Sequence, residues 1–222
     1  MTIQENIREV LATLPTGVRL VAVSKFHPVE ALQEAYDGGQ RIFGESKVQE
    51  MTAKHEQLPA DIEWHFIGHL QTNKVKYIAP YVALIHGVDS YKLLLEINRQ
   101  GLRVGRTIPC LLQLHVAQEE TKFGFSPDEC LEMLSEGEWS TLPYVSIRGI
   151  MGMASNTDDM EQVRREFASL GSFFSQVRKK YFSNRPEFCE LSMGMSDDYP
   201  IAIEEGSTLV RVGSRIFGNR VY

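Results

Sequence analysis

Cysteine is scarce in this sequence: Cys110, Cys130 and Cys189 stand far apart, and no C-x-x-C pair occurs. That spacing excludes a zinc ribbon, a redox dithiol and a disulfide framework, leaving reduced structural thiols as the expected state. Basic runs are equally short. The longest is Arg178-Lys179-Lys180 in a chain of net charge −6, so no stripe exists to track a phosphate backbone and nucleic acid is not expected as a partner. No stretch reaches the ~18 apolar residues of a membrane span. Met1 to Val10 lack a basic segment followed by an apolar one, so a secretory signal and a membrane location are not expected and the chain reads as cytoplasmic. Low-complexity tracts, linkers and internal repeats are missing too. The economical reading of the 222 residues is one domain spanning 1–222.

What is present is an ordinary globular balance, 43% hydrophobic and 23% charged residues, enough for a sizeable core. Ile3, Ile7, Val10, Leu11 and Leu14 recur at helical spacing before Pro15-Thr16-Gly17 breaks the pattern. A compact apolar run, Leu20 to Val23, then reads as a buried strand. The same alternation continues, with further strands expected at Arg41 to Phe43, Trp64 to Ile67, Val82 to His86, Cys110 to His115, Ile147 to Met151, Phe188 to Leu191 and Leu209 to Val212. Helices are expected between them, among them Pro28 to Asp37, Tyr91 to Gln100, Pro127 to Ser135 and Asp158 to Tyr181. Eight short apolar strands interleaved with helices predict an α/β fold, a single (β/α)8 TIM-type barrel, with an additional N-terminal helix placed to cover the seam between strands eight and one.

In such a barrel the functional groups sit at the C-terminal ends of the strands. Lys25 falls there, directly after the first apolar run. Partial desolvation disfavours its charged form and frees the neutral amine for imine formation. Taken alone, it fits a lysine snorkelling at a strand end better. Phosphate sites in this fold use the loops after strands seven and eight. Here those loops carry Ser192-Met193-Gly194-Met195-Ser196-Asp197-Asp198 and Arg211-Val212-Gly213-Ser214. Ser192, Gly213 and Ser214 offer hydroxyls and close backbone approach for a dianionic phosphate. His65 and His69 are four residues apart, but on strand and turn rather than helix, so they line or support the barrel mouth and no metal is expected. Trp64, Phe66, Met151 and Met153 read as packing residues.

The ordered motifs V-A-V-S-K at 21–25, F-G-E-S-K-V-Q-E at 43–50, W-H-F-I-G-H-L-Q-T-N-K at 64–74, T-K-F-G at 121–124, G-I-M-G-M-A at 149–154, L-S-M-G-M-S-D-D at 191–198 and R-V-G-S-R-I-F-G at 211–218 span the chain. Through them it resembles the YggS/PROSC-type pyridoxal phosphate homeostasis proteins, whose fold is the alanine racemase N-terminal barrel. The resemblance implies that Lys25 carries pyridoxal 5′-phosphate as an aldimine, that Ser192, Gly213 and Ser214 hold the phosphate, and that Arg211 faces the pyridine nitrogen. Ser46 stands where the family usually has asparagine, a position near the cofactor, and its shorter hydroxyl would reach through a water.

An arginine can only donate, so the ring nitrogen opposite it stays unprotonated and the electron sink is weak. Racemases of this barrel add a tyrosine from a partner's C-terminal domain, and no such domain precedes Tyr222. The expected role is therefore a monomeric carrier that buffers the cofactor and transfers it, with pyridoxal-phosphate-dependent apo-enzymes as recipients. The alternatives are an amino-acid racemase of low activity and a scaffold barrel without cofactor.

Overall fold

A computed structural model of the chain describes residues 2–116 and 123–218; Thr121 and Lys122 of the T-K-F-G motif lie outside them. Eight strands close into a barrel in sequence order: β1 Arg19–Val23, β2 Ile42–Glu45, β3 Glu63–Phe66, β4 Leu84–Val88, β5 Ile108–Gln113, β6 Val145–Met151, β7 Glu190–Met195 and β8 Leu209–Val212. Every neighbouring pair is parallel, and β8 closes on β1 with Val21 opposite Arg211 and Ala22 opposite Val212. The covering helices are α1 Ile3–Ala12, α2 Val29–Asp37, α3 Val48–His55, α4 Val75–Ile78, α5 Tyr91–Val104, α6 Pro127–Glu136, α7 Met160–Tyr181, α8 Tyr199–Glu204 and α9 Ser214–Phe217.

Local chemistry sets the helix ends. Thr2 and Glu5 form a capping box on α1, and Ser126 and Glu129 form another on α6, each meeting two otherwise unpaired backbone donors. Helix α5 runs past the expected stop at Gln100 to Val104. Its internal glycine, Gly101, is there for packing: a Cβ would lie 2.7 Å from Cβ of Tyr144. The N-terminal helix sits at the β8–β1 seam, where Ile7 and Val10 are buried and Asn6 donates to the Ile216 carbonyl of α9 at 2.9 Å.

Strand alternation divides the core into two clusters. Leu20, Ala22, Trp64, Phe66, Ile85, Cys110, Ile150 and Val210 belong to the large layer between sheet and helices. Val21, Leu84, Leu111, Met151 and Leu209 form a separate small cluster inside the barrel. Successive side chains point to opposite faces, so Val23, His86 and Arg211 also face inward, one step further toward the C-terminal rim.

β7 departs from expectation. Phe188, the first residue of the expected strand, instead stacks on Phe174 and Phe182 of the α7 region, and the strand spans Glu190–Met195. Leu191 and Met193 face the outer core while Ser192 faces a polar interior, so a continuous apolar run marks the wrong segment. Ser192 to Gly194 are strand rather than loop.

Gly149 in β6 has φ +154°, and a Cβ there would lie 1.7 Å from the Glu190 carbonyl oxygen of β7. Gly149→Ala is expected to lower the unfolding free energy by about 3 kcal/mol or more, measured by urea denaturation. An unchanged midpoint would show that β6 and β7 part without loss.

Candidate cofactor site

A cavity of about 290 Å³ opens at the C-terminal end of the barrel, at the small end of small-molecule pockets, roughly 300–1,000 Å³. Val23, Lys25 and His27 reach it from the end of β1, Ile67 from the end of β3, Met153 from beyond β6, Met195, Ser196 and Asp197 from β7 and its loop, and Arg211, Gly213 and Ser214 from β8 and its loop. The β1–β8 pairing brings Lys25 and Gly213 together although 187 intervening residues separate them in sequence. Two cations, Lys25 and Arg211, face one carboxylate, Asp197, so the cavity favours an anion.

Arg211 is 4% exposed. Its Nη1 donates to Oγ of Ser192 at 2.6 Å and its Nη2 to the Gly152 carbonyl at 3.0 Å. Burial lowers its pKa from 12.5 to about 10, with Asp198 opposing, and the guanidinium stays charged at neutral pH. The contacts continue inward: Oγ of Ser192 lies 2.9 Å from Nδ1 of His86, whose Nε2 lies 2.9 Å from Nδ1 of His65. Burial holds both histidines neutral, with His65 pushed down to about 3 and His86 well below its ordinary value, the neighbouring cations adding to the effect. Each neutral ring offers one donor and one acceptor, so the row can run in one direction, Arg211 donating to Ser192, Ser192 to His86 and His86 to His65.

Of the residues singled out from sequence, Lys25, Arg211, Gly213 and Ser214 meet in the cavity. Ser192, expected at the phosphate, is not among the lining residues: it is fully buried in β7 and its hydroxyl is engaged by Arg211 and His86. Ser196, four residues on and beyond the strand end, lines the cavity instead, where its Oγ accepts the Gly213 N–H at 3.2 Å. The same S-M-G-M-S stretch holds both serines, and choosing between them requires the end of β7. Ser46 is half-buried and is not among the lining residues; its carbonyl would lie 2.5 Å from a Cβ on Gly68. Gly213 lies close to β1, where a Cβ would meet the Val23 carbonyl at 3.1 Å.

His65 and His69 diverge. His65 faces the barrel interior, whereas His69 pairs with Asp89 at 2.8 Å and stacks on Phe123 at 3.8 Å. Among the described residues no three His, Cys, Asp or Glu side chains gather as metal ligands, and no helix is long and apolar enough to cross a membrane. His86 and His27 escaped sequence reasoning: one sits in an apolar strand, and the other follows Lys25 and reaches the cavity only through the turn. Met153 lines the cavity, while Met151 belongs to the apolar cluster beneath it.

A parallel eight-stranded barrel with a lysine at the end of β1 and a buried arginine on β8 defines a class, and the family model described as alanine racemase, N-terminal domain, matches residues 1–221. The pyridoxal phosphate homeostasis protein of Aquifex aeolicus is 39% identical over 206 residues, covering 92% of this chain and 88% of that one. Its counterpart from Pasteurella multocida is 34% identical over all of this chain and 99% of its own. PipY of Synechococcus elongatus, solved without PLP, superposes with a TM-score of 0.92 at 36% identity over 98% of this chain and all of that one, and the PLP-bound form with 0.89 at the same identity and coverage. Alanine racemase of Clostridium difficile, at 16% identity and a TM-score of 0.76, covers 98% of this chain and 56% of its own, a likeness of fold. The chain belongs to the YggS/PROSC-type pyridoxal phosphate homeostasis family.

The neutral histidine pair has a consequence for stability. Unfolded histidines titrate near 6.5 and these do so far lower, so the unfolded state binds more protons as pH falls below 6.5 and folding weakens there. Between pH 6.5 and 5 urea denaturation should show stability falling, each histidine contributing a slope approaching ~1.4 kcal/mol per pH unit. His65→Gln is expected to remove about half of that slope; an unaltered slope would show that His65 is not held neutral.

Proposed function

We propose that this protein binds pyridoxal 5′-phosphate, holds it as a Schiff base on Lys25, and keeps it in store for apo-enzymes of the cytoplasm. The observation that carries the reading is the convergence of Lys25, Arg211 and the Ser196–Gly213–Ser214 group on one cavity. When bound, the cofactor supplies an aldehyde carbon that condenses with a primary amine and releases water. Everything else falls to the chain.

Lys25 supplies that amine at the cavity wall. Ser196, Gly213 and Ser214 suit a phosphate: the Ser196 hydroxyl accepts from Gly213 and still has its own proton to donate. Arg211 is a buried cation whose hydrogen-bond partners are a hydroxyl and a carbonyl, with no carboxylate among them. Such a group suits the lone pair of an aromatic nitrogen and opposes its protonation. A site that keeps the ring nitrogen neutral is a poor place for carbanion chemistry, which supports storage over turnover. The relatives' names and the PLP-bound PipY structure agree with cofactor binding.

Borohydride reduction of protein incubated with the cofactor, followed by peptide mass mapping, is expected to place a phosphopyridoxyl group on the peptide containing Lys25, and Lys25→Ala to remove it. Its absence from that peptide in the unaltered protein would sink the reading. Ser196→Ala is expected to weaken cofactor binding about 10- to 100-fold, the range of one hydrogen bond to a charged group, by fluorescence titration. Ser192→Ala tests the choice between the two serines: its larger effect should appear in the spectrum rather than in phosphate affinity.

A further inference from the structure

Helix α3 holds the backbone of the turn that carries Lys25 from outside the barrel. Ser24 accepts from the His27 N–H at 3.1 Å, closing a β-turn with Lys25 and Phe26 at its centre. Phe26 has φ +69°, the sole positive value on a non-glycine among the described residues. A turn of this kind normally places glycine or asparagine there, and strain at such a position persists only where the surroundings impose it.

The surroundings here are two side chains one helical turn apart on α3. Glu50 Oε1 accepts the Phe26 N–H at 2.6 Å. Lys54 Nζ donates to the Ser24 carbonyl at 2.9 Å, to Glu50 Oε1 at 2.8 Å and to Glu45 Oε1 at 2.7 Å, so three acceptors match its three N–H bonds. Glu45, at the end of β2, is fully buried and also accepts from the Ser24 hydroxyl at 2.6 Å. The backbone on both sides of Lys25 is thus tied to α3, and the ties are charge-assisted and mostly desolvated, the kind that hold geometry best. A buried lysine surrounded by two carboxylates is an expensive way to cap a strand. Its position around the residue that enters the cavity gives it another purpose.

We propose that Glu50 and Lys54 are positioning residues that fix the direction in which Lys25 leaves β1, so that its amine is presented to the cofactor's aldehyde. The inference rests on the reading of Lys25 as the covalent anchor. It accounts for Glu45 and Glu50 of the F-G-E-S-K-V-Q-E motif, neither of which lines the cavity. Helix α3 acts on the anchor through the backbone and leaves the phosphate and ring contacts alone.

The test separates attachment from binding. Glu50→Asp keeps the charge but withdraws the carboxylate by one methylene; it should slow borohydride trapping of pyridoxal phosphate on Lys25 at least about tenfold, since small misplacements of a reacting group are costly. Affinity for pyridoxine 5′-phosphate, whose alcohol cannot form the link, should stay within about twofold. Glu50→Gln, which retains an oxygen for the Phe26 N–H, should trap at close to the normal rate. Phe26→Gly placed on Glu50→Ala should recover part of the rate, because glycine adopts the turn unaided. Should Glu50→Ala not fold, Glu50→Asp and Glu50→Gln carry the comparison. Trapping at the normal rate in Glu50→Asp, or a parallel loss of pyridoxine phosphate affinity, would overturn the inference. Failure of the unaltered protein to trap on Lys25 would instead overturn the anchor reading beneath it.

Discussion

A full positive charge sits inside this barrel, and much of the structure follows from where it is kept. Taking a guanidinium out of water is costly unless its donors are met. Arg211 meets that demand with the hydroxyl of Ser192 and the carbonyl of Gly152. Ser192 in turn requires a partner on its far side, His86, and His86 requires His65. Four strands, β3, β4, β7 and β8, therefore contribute polar side chains to one level of the interior, directly above the Val21, Leu84, Leu111, Met151 and Leu209 plug. Desolvation holds the two histidines neutral, and at His86 the charge of Arg211 adds to the effect.

The closed barrel turns this interior chemistry into a site. Pairing of β1 with β8 fixes Lys25 beside the Gly213–Ser214 turn, and the end of β7 sets Ser196 against the same turn. A lysine amine, a buried guanidinium and the Ser196–Gly213–Ser214 group thus come together from distant parts of the sequence. Two ionic devices flank Lys25. On the cavity side Arg211 sets the electrostatics of what binds. On the outer side the Glu45, Glu50 and Lys54 cluster fixes the backbone from which Lys25 departs.

Much of this was legible in the chain itself. The eight apolar runs, the proline and glycine breaks between them and the amphipathic first helix led to the barrel because parallel strands covered on both faces leave that pattern. Lys25, Arg211, Gly213 and Ser214 were legible because each stands at a strand end, where this fold puts its chemistry. Errors arose where the apolar pattern fails. β7 has polar residues on its inner face, so the strand was placed too early and Ser192 was taken for a loop residue although it lies inside β7. Lys54 looks like an ordinary exposed helix residue, since periodicity does not reveal that a carboxylate from another strand lies beneath it.

By itself, the sequence determined the order of elements, the class of barrel and the family, because hydrophobic periodicity and turn residues are local properties written along the chain. Tertiary structure alone decided which of two serines faces the cavity, that His65 and His86 form a neutral row behind Arg211, and that α3 grips the turn around Lys25. Those outcomes depend on strand register and on desolvation, which arise only when segments far apart in sequence exclude water together.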